Sequence, residues 1–199
     1  MKKLLLILLC LPMIGFGQNI TIPDARSISS YYKGKLEIAK EWNDKLGDNL
    51  LLISIYDDYK NGNQIMYGYL YVNGYLVWDI KDWTAVDYYD NGAGEVIIEK
   101  VEITDLDSDN ISEATIVYML QSTATDCCYP EKVKLIMHEN DVKYAIRGST
   151  AVKEIDDEHI EGGEKEMYGK DSFAKAPKII INYASKLFDQ VVGDVLIWQ

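Results

Sequence analysis

The chain has 199 residues, 48% of them hydrophobic, with 20 Lys and Arg against 32 Asp and Glu and a formal net charge of −12. That balance excludes a surface built to grip nucleic acid, which needs positive charge facing the phosphates. It suits cation binding and solubility.

The first segment, Met1–Gly17, reads as a secretory signal peptide: Lys2 and Lys3 form its charged start, Leu4–Phe16 is apolar, and Gly15-Phe16-Gly17 offers small residues for cleavage. Cleavage leaves Gln18 at the N-terminus and removes Lys2 and Lys3, deepening the net charge from −12 to −14. A lipid anchor on Cys10 is the lesser reading, because Leu9 stands where a lipobox carries a small residue. Residues 18–199 then form a single β-rich domain with no nucleic-acid partner and no transmembrane segment. The expected setting is export: periplasm, outer surface or medium. Cys127 and Cys128 are adjacent, and three states stay open for them: a vicinal disulfide, free thiols, or pairing between chains. His138 and His159 lack zinc-ligand spacing to them.

In chain order, Gln18–Ser30 is polar and reads as an exposed arm. Lys35–Trp42 fits both a period of two and a near-helical spacing, and the turn at Lys45-Leu46-Gly47-Asp48 favours the strand. Leu50–Tyr56 and Ile65–Val72 are strands about a turn at Asp57–Asn63. Asn73-Gly74 predicts a type I′ hairpin joining Tyr67–Val72 to Tyr75–Ile80, since both residues accept positive φ. Lys81–Gly94 is a longer loop. Val96–Thr104 and Ala114–Leu120 are strands, Thr123–Glu131 is a polar loop, and Val133–His138 with Val142–Arg147 make another hairpin. Ala151–Gly169 reads as loop or weak edge strand. From about Pro177 to Val191, Ile180, Tyr183, Ala184, Leu187, Phe188 and Val191 share a helical face, with Pro177 in the first turn and Gly193 at the end. The expected fold is α+β: seven or eight strands in successive hairpins forming an antiparallel sheet, with one C-terminal helix packed on it.

One run carries chemistry. Asp105, Asp107 and Asp109 alternate, and Glu113 closes the run, between two strands. Calcium takes about 6–8 oxygen ligands. Carboxylates at every second position can curl around one ion, with the Ile111 carbonyl and Glu113 completing the set. An EF-hand carries Gly at the sixth position and Glu at the twelfth; here those are Asn110 and Ile116. The nine residues resemble more closely the Asp-x-Asp-x-Asp-Gly-x-x-Asp loop of FG-GAP repeats in integrin α-subunit propellers, with Asn for Gly and Glu for Asp. That resemblance implies calcium at a β-hairpin. The plain alternative is a solvated acidic turn.

No phosphate loop or nucleophile elbow is present, and Gly148-Ser149 lacks the Gly-x-Ser-x-Gly pattern. His138, in an apolar strand, reads as a structural residue. Tyr67, Tyr69 and Tyr71 project from one face of a strand. They either fill a half-buried sheet face under a helix or, exposed, stack on sugar rings or take a protein partner. Asp105–Asp107, Lys134–Met137 and Tyr144–Gly148 resemble segments of a group of small exported bacterial proteins labelled with surface polysaccharide biosynthesis. The resemblance implies a cell-envelope setting. The expected function is a non-enzymatic, calcium-stabilised module binding a glycan or protein. The alternative is an enzyme or accessory factor of surface polysaccharide biosynthesis.

Overall fold

The computed structural model describes residues 18–19, 29–84, 94–121, 129–154, 159–168, 170–193 and 196–198. The segment read as a signal peptide, the Cys127-Cys128 pair and residues 85–93 of the expected Lys81–Gly94 loop lie outside them, while residues 81–83 extend a strand.

The first sheet is a meander. Strands β1 (Gln18–Asn19), β2 (Lys35–Asp44), β3 (Gly47–Asp58), β4 (Asn63–Val72) and β5 (Tyr75–Trp83) lie in sequence order, every pair antiparallel. Gln18–Asn19, read as part of an arm, instead adds to the free edge of β2. The segment Lys35–Trp42 is strand, because β3 pairs with it along its whole length. Asn73 (φ 50°) and Gly74 (φ 80°) take the two positive angles that a I′ turn demands. The Asn73 side chain does more than turn the chain. Its Oδ1 accepts the Asp48 N–H at 3.0 Å and its Nδ2 donates to the Leu46 carbonyl at 3.1 Å, locking this turn to the one between β2 and β3.

The second sheet contains β6 (Glu95–Thr104), β7 (Glu113–Gln121), β8 (Lys132–Glu139), β9 (Val142–Ser149) and β12 (Lys165–Tyr168), in the order β12-β9-β8-β7-β6. Between β9 and β12 run β10 (Ala151–Glu154) and β11 (Glu161–Gly162), which are antiparallel. The last strand, β13 (Leu196–Trp198), pairs parallel with β10. The segment read as loop or weak edge strand thus holds three short strands, one of which edges the main sheet.

Two apolar clusters stack the layers. In one, Leu51, Ile53, Met66, Leu70 and Ile80 of the first sheet meet Ile103, Ala114, Ile116 and Tyr118 of the second. In the other, Val133, Leu135, Met137 and Ile146, on the far face of the second sheet, meet Ile180, Ala184, Leu187 and Phe188. Those four belong to α2 (Lys178–Val192), preceded by the short α1 (Lys170–Lys175). The protein is therefore a three-layer α+β fold, sheet on sheet on helix. The middle sheet is covered on both faces, so β7 is buried almost end to end and β8 over residues 135–138. Pro177 is the residue before the helix, and its carbonyl accepts the Ile180 N–H at 3.1 Å. Gly193, at φ 69°, closes the helix with its N–H on the Asp189 carbonyl.

Candidate metal centre at the end of the second sheet

The acidic run connects β6 to β7. Thr104 and Glu113 face each other as the last paired residues, and the loop between them winds around its own carboxylates. Asp105 Oδ1 accepts the Asp109 N–H at 3.1 Å and Oδ2 accepts the Asn110 N–H at 3.2 Å. Asp109 Oδ1 accepts the Ile111 N–H at 2.7 Å. Ser108 (φ 63°) and Asn110 (φ 66°) are left-handed, so Asn110 takes the conformation for which a calcium loop uses glycine. The loop is also tied to the first sheet. Asp44 Oδ2 accepts the Ser112 N–H and the Trp42 indole N–H, and Lys45 donates its N–H to the Asn110 carbonyl. Burial pushes the Asp44 carboxyl up, but its hydrogen bonds from Ser112, Leu46, Asn49 and Trp42 outweigh this and hold it below the usual range.

The structure brings the expected ligands together in two sets. Carboxylate oxygens of Asp105, Asp107 and Asp109 lie within 4.8 Å of one another, with Asp105 and Asp109 exposed and Asp107 half-buried between them. Glu113 does not join them; it groups, on the same criterion, with Asp107 and Glu139. Glu113 is fully buried and accepts the Leu106 N–H at 3.0 Å and the Thr104 hydroxyl at 2.9 Å. Burial pushes its carboxyl up to about 7. Asp107 belongs to both sets, and its Oδ1 is buried with no hydrogen-bond partner. Ile111 is present in the loop with its N–H committed to Asp109.

Glu139 is the residue that the sequence reading missed. Ala114 stands opposite His138 across β7 and β8, so the next position on each strand places Glu113 beside Glu139. The signal was its place at the predicted turn between Val133–His138 and Val142–Arg147, but only the β7–β8 pairing aims it at the acidic loop. Burial, then the charges of Asp107, Asp109 and Asp105, push the Glu139 carboxyl up. Among the described residues, none of these five carboxylates forms an ion pair with Lys or Arg. Of the five, Glu139 answers the neighbouring negative charge by holding its proton more tightly, the work a divalent cation would otherwise do. Ligands about 2.3–2.6 Å from a calcium ion lie up to roughly 5 Å apart, which the observed spacing matches. The residues therefore fit a hard cation, and the orphaned Asp107 oxygen is the atom that most needs one.

The tyrosine face lies on the opposite side of the molecule's first sheet, turned away from the second sheet. Tyr67 and Tyr69 are half-buried with rings nearly parallel, 11° apart at 6.0 Å. A 3₁₀ turn, Ser29–Tyr31, covers Tyr71, whose hydroxyl donates to the Tyr31 carbonyl at 2.6 Å. Lys81 lies over the rings of both Tyr67 and Trp83, and Trp83 is 54% exposed. Among the described residues no α-helix lies on this face; the α-helical layer packs on the second sheet. His138 is sandwiched between the sheets, stacked on Trp78 at 4.3 Å, and burial and Lys143 push its imidazole down to about 4. A cavity of about 460 Å³ between β2, β3 and β6 is lined by Glu37, Asp57 and Glu95 among others. There Glu37 pairs with Lys35, and Asp57 accepts the Gln64 amide.

The class these features define is a three-layer β-rich fold with a carboxylate cluster at one end and an aromatic face on its outer sheet. No family model, curated protein or solved structure matches the chain. No helix among the described residues is long and apolar enough to cross a membrane.

Proposed function

We propose that this protein is an exported, non-enzymatic module of the cell envelope that is stabilised by calcium and binds a glycan. The observation that carries the reading is Asp107, shared by two carboxylate triads and holding a buried oxygen without a donor. Asp105, Asp107 and Asp109 would hold the ion, with buried Glu113 and half-buried Glu139 beside Asp107 as the second set. Calcium supplies charge neutralisation there and so fixes the β6–β7 connection against Asp44 of the first sheet.

The glycan reading rests on the paired rings of Tyr67 and Tyr69 with exposed Trp83 and two lysines, Lys33 and Lys81, at their margin. Aromatic rings offer flat apolar area with polar edges, the surface that a sugar ring face matches.

Calcium that binds only the folded state stabilises it by RT ln(1 + [L]/Kd), about 2.7 kcal/mol at a hundredfold excess over Kd. Extracellular sites bind at roughly 0.1–1 mM, so millimolar calcium raises the melting temperature over chelator, and magnesium does so less. Asp107→Asn removes the shared charge and weakens the shift. Identical melting of the native protein in calcium and in chelator would refute the metal site. Calorimetric titration with oligosaccharides from bacterial surface polymers tests the second element: Trp83→Ala with Tyr67→Ala lowers affinity at least tenfold. Retained binding in that variant moves the glycan elsewhere.

A further inference from the structure

The molecule carries a second charged site, of opposite sign, that the proposed function leaves unused. Between β5 and strands β8 and β9 lies a cavity of about 170 Å³. Its one inward carboxylate is Asp82, and that group already accepts three hydrogen bonds. Asp82 Oδ2 accepts the Tyr118 hydroxyl at 2.8 Å and the Lys134 ammonium at 2.5 Å, while Oδ1 accepts the Trp83 N–H at 3.0 Å.

Two further cations reach the same cavity. Lys143 and Arg147 lie on one face of β9, either side of Ala145. Neither makes an ion pair among the described residues. Arg147 stands directly opposite Lys134 in the β8–β9 register. Like charges placed opposite each other weaken a sheet unless something lies between them. Glu166 faces Arg147 from β12, yet the guanidinium lies over the Tyr168 ring, 4.4 Å from its centroid. Burial, then Arg147, and also Lys134, push the Lys143 ammonium down, with Asp82 opposing. Asp79 and Lys81 of β5 also line it, and the Lys81 ammonium lies over the Tyr67 and Trp83 rings. Three cations thus line one cavity, of which only Lys134 is paired with its inward carboxylate, in a chain of net charge −12.

We propose that this cavity binds a small oxyanion, a phosphate, sulfate or carboxylate group, through Lys143 and Arg147, with Lys134 behind them. Guanidinium supplies two parallel donors to such a group, and the ammonium a point charge. The volume is below the roughly 300–1,000 Å³ of drug-sized sites, so it takes the charged group and little more.

The test is a titration of the whole protein with sodium phosphate, sulfate or acetate in chelator, at ionic strength held constant with chloride. Melting temperature and amide shifts of the 143–147 segment are read together. One of the three anions is expected to raise the melting temperature saturably and move those amides. Preference for phosphate or sulfate over acetate assigns a tetrahedral group, and the reverse a carboxylate. The variant Lys143→Gln with Arg147→Gln changes two exposed side chains, keeps the wild-type circular dichroism, and loses affinity at least tenfold. Single variants serve if the double one misfolds. No anion effect beyond chloride, or equal effects in wild type and variant, overturns the proposal.

Discussion

Two buried titratable side chains set opposing pH responses. Glu113 in the fold holds its proton up to about pH 7 against an ordinary value of 4.5, because burial disfavours its charge. Its contribution is fully present below pH 4.5 and lost as pH rises through about 7. His138 behaves inversely. Its folded value of about 4 lies below the ordinary 6.5, so its contribution is present above 6.5 and lost as pH falls through about 4. Each shift is worth on the order of 3 kcal/mol at its limit, and across the shared window they nearly cancel. Relative to wild type, Glu113→Gln is expected to lose stability from pH 7 to pH 5, and His138→Phe, which keeps a ring against Trp78, to gain it. Urea unfolding in calcium-free buffer at the two pH values reads both. The spacing of Asp105, Asp107 and Asp109 was legible as a cation-loop pattern, and Asn110 adopts the left-handed turn that pattern requires. Glu139 was not legible, since 26 residues separate it from Glu113 and only strand pairing joins them.

At the level of elements, the hairpins were readable because turn dihedrals and period-two patterns are local. The strands nonetheless run past their apolar limits: β3 spans Gly47–Asp58 rather than Leu50–Tyr56, since ladder hydrogen bonds extend into polar residues. Asn73 illustrates what locality hides. Its positive φ was expected, but its side chain also bridges to Asp48 and Leu46, some 25 residues earlier. Asn73→Ala should therefore cost about 1–3 kcal/mol, more than a turn residue alone, by loss of two hydrogen bonds and strain at the turn. Gly47→Ala should be at least as damaging: its φ is 124°, and an added Cβ would meet the Asn73 side chain. Denaturant midpoints for the two variants and their combination test this. If the two act through one lock, the double variant costs less than the sum.

Over the whole molecule, stability depends on a middle sheet covered twice. Phe188, 1% exposed, joins the helix to β8 and β9, and also lies close to Gly148. Phe188→Ala should cost about 3–5 kcal/mol, the range for emptying a large aromatic site, and is expected to lower the urea midpoint without changing the two-sheet core. Tyr183 helps orient the helix by donating to Glu102 of β6, and Lys165 of β12 ties to Asp189. At Gly148 an added Cβ would approach the Glu164 backbone, so this glycine is needed for β12 to reach the sheet edge.

By itself the sequence determined the antiparallel hairpins, the C-terminal helix with its apolar face and the left-handed turns, because each arises from contacts within a few residues. Only the tertiary structure decided that the strands divide into two packed sheets and that the tyrosine face lies outside them. It also decided that Glu113 turns inward toward Glu139, and that Lys134, Lys143 and Arg147 line one cavity with Asp82. Those outcomes depend on which strand edges pair and which faces meet across distances such as the 52 positions between Asp82 and Lys134. Hydrophobic periodicity says that a face is buried, and the partner is selected by how the layers fill the space between them.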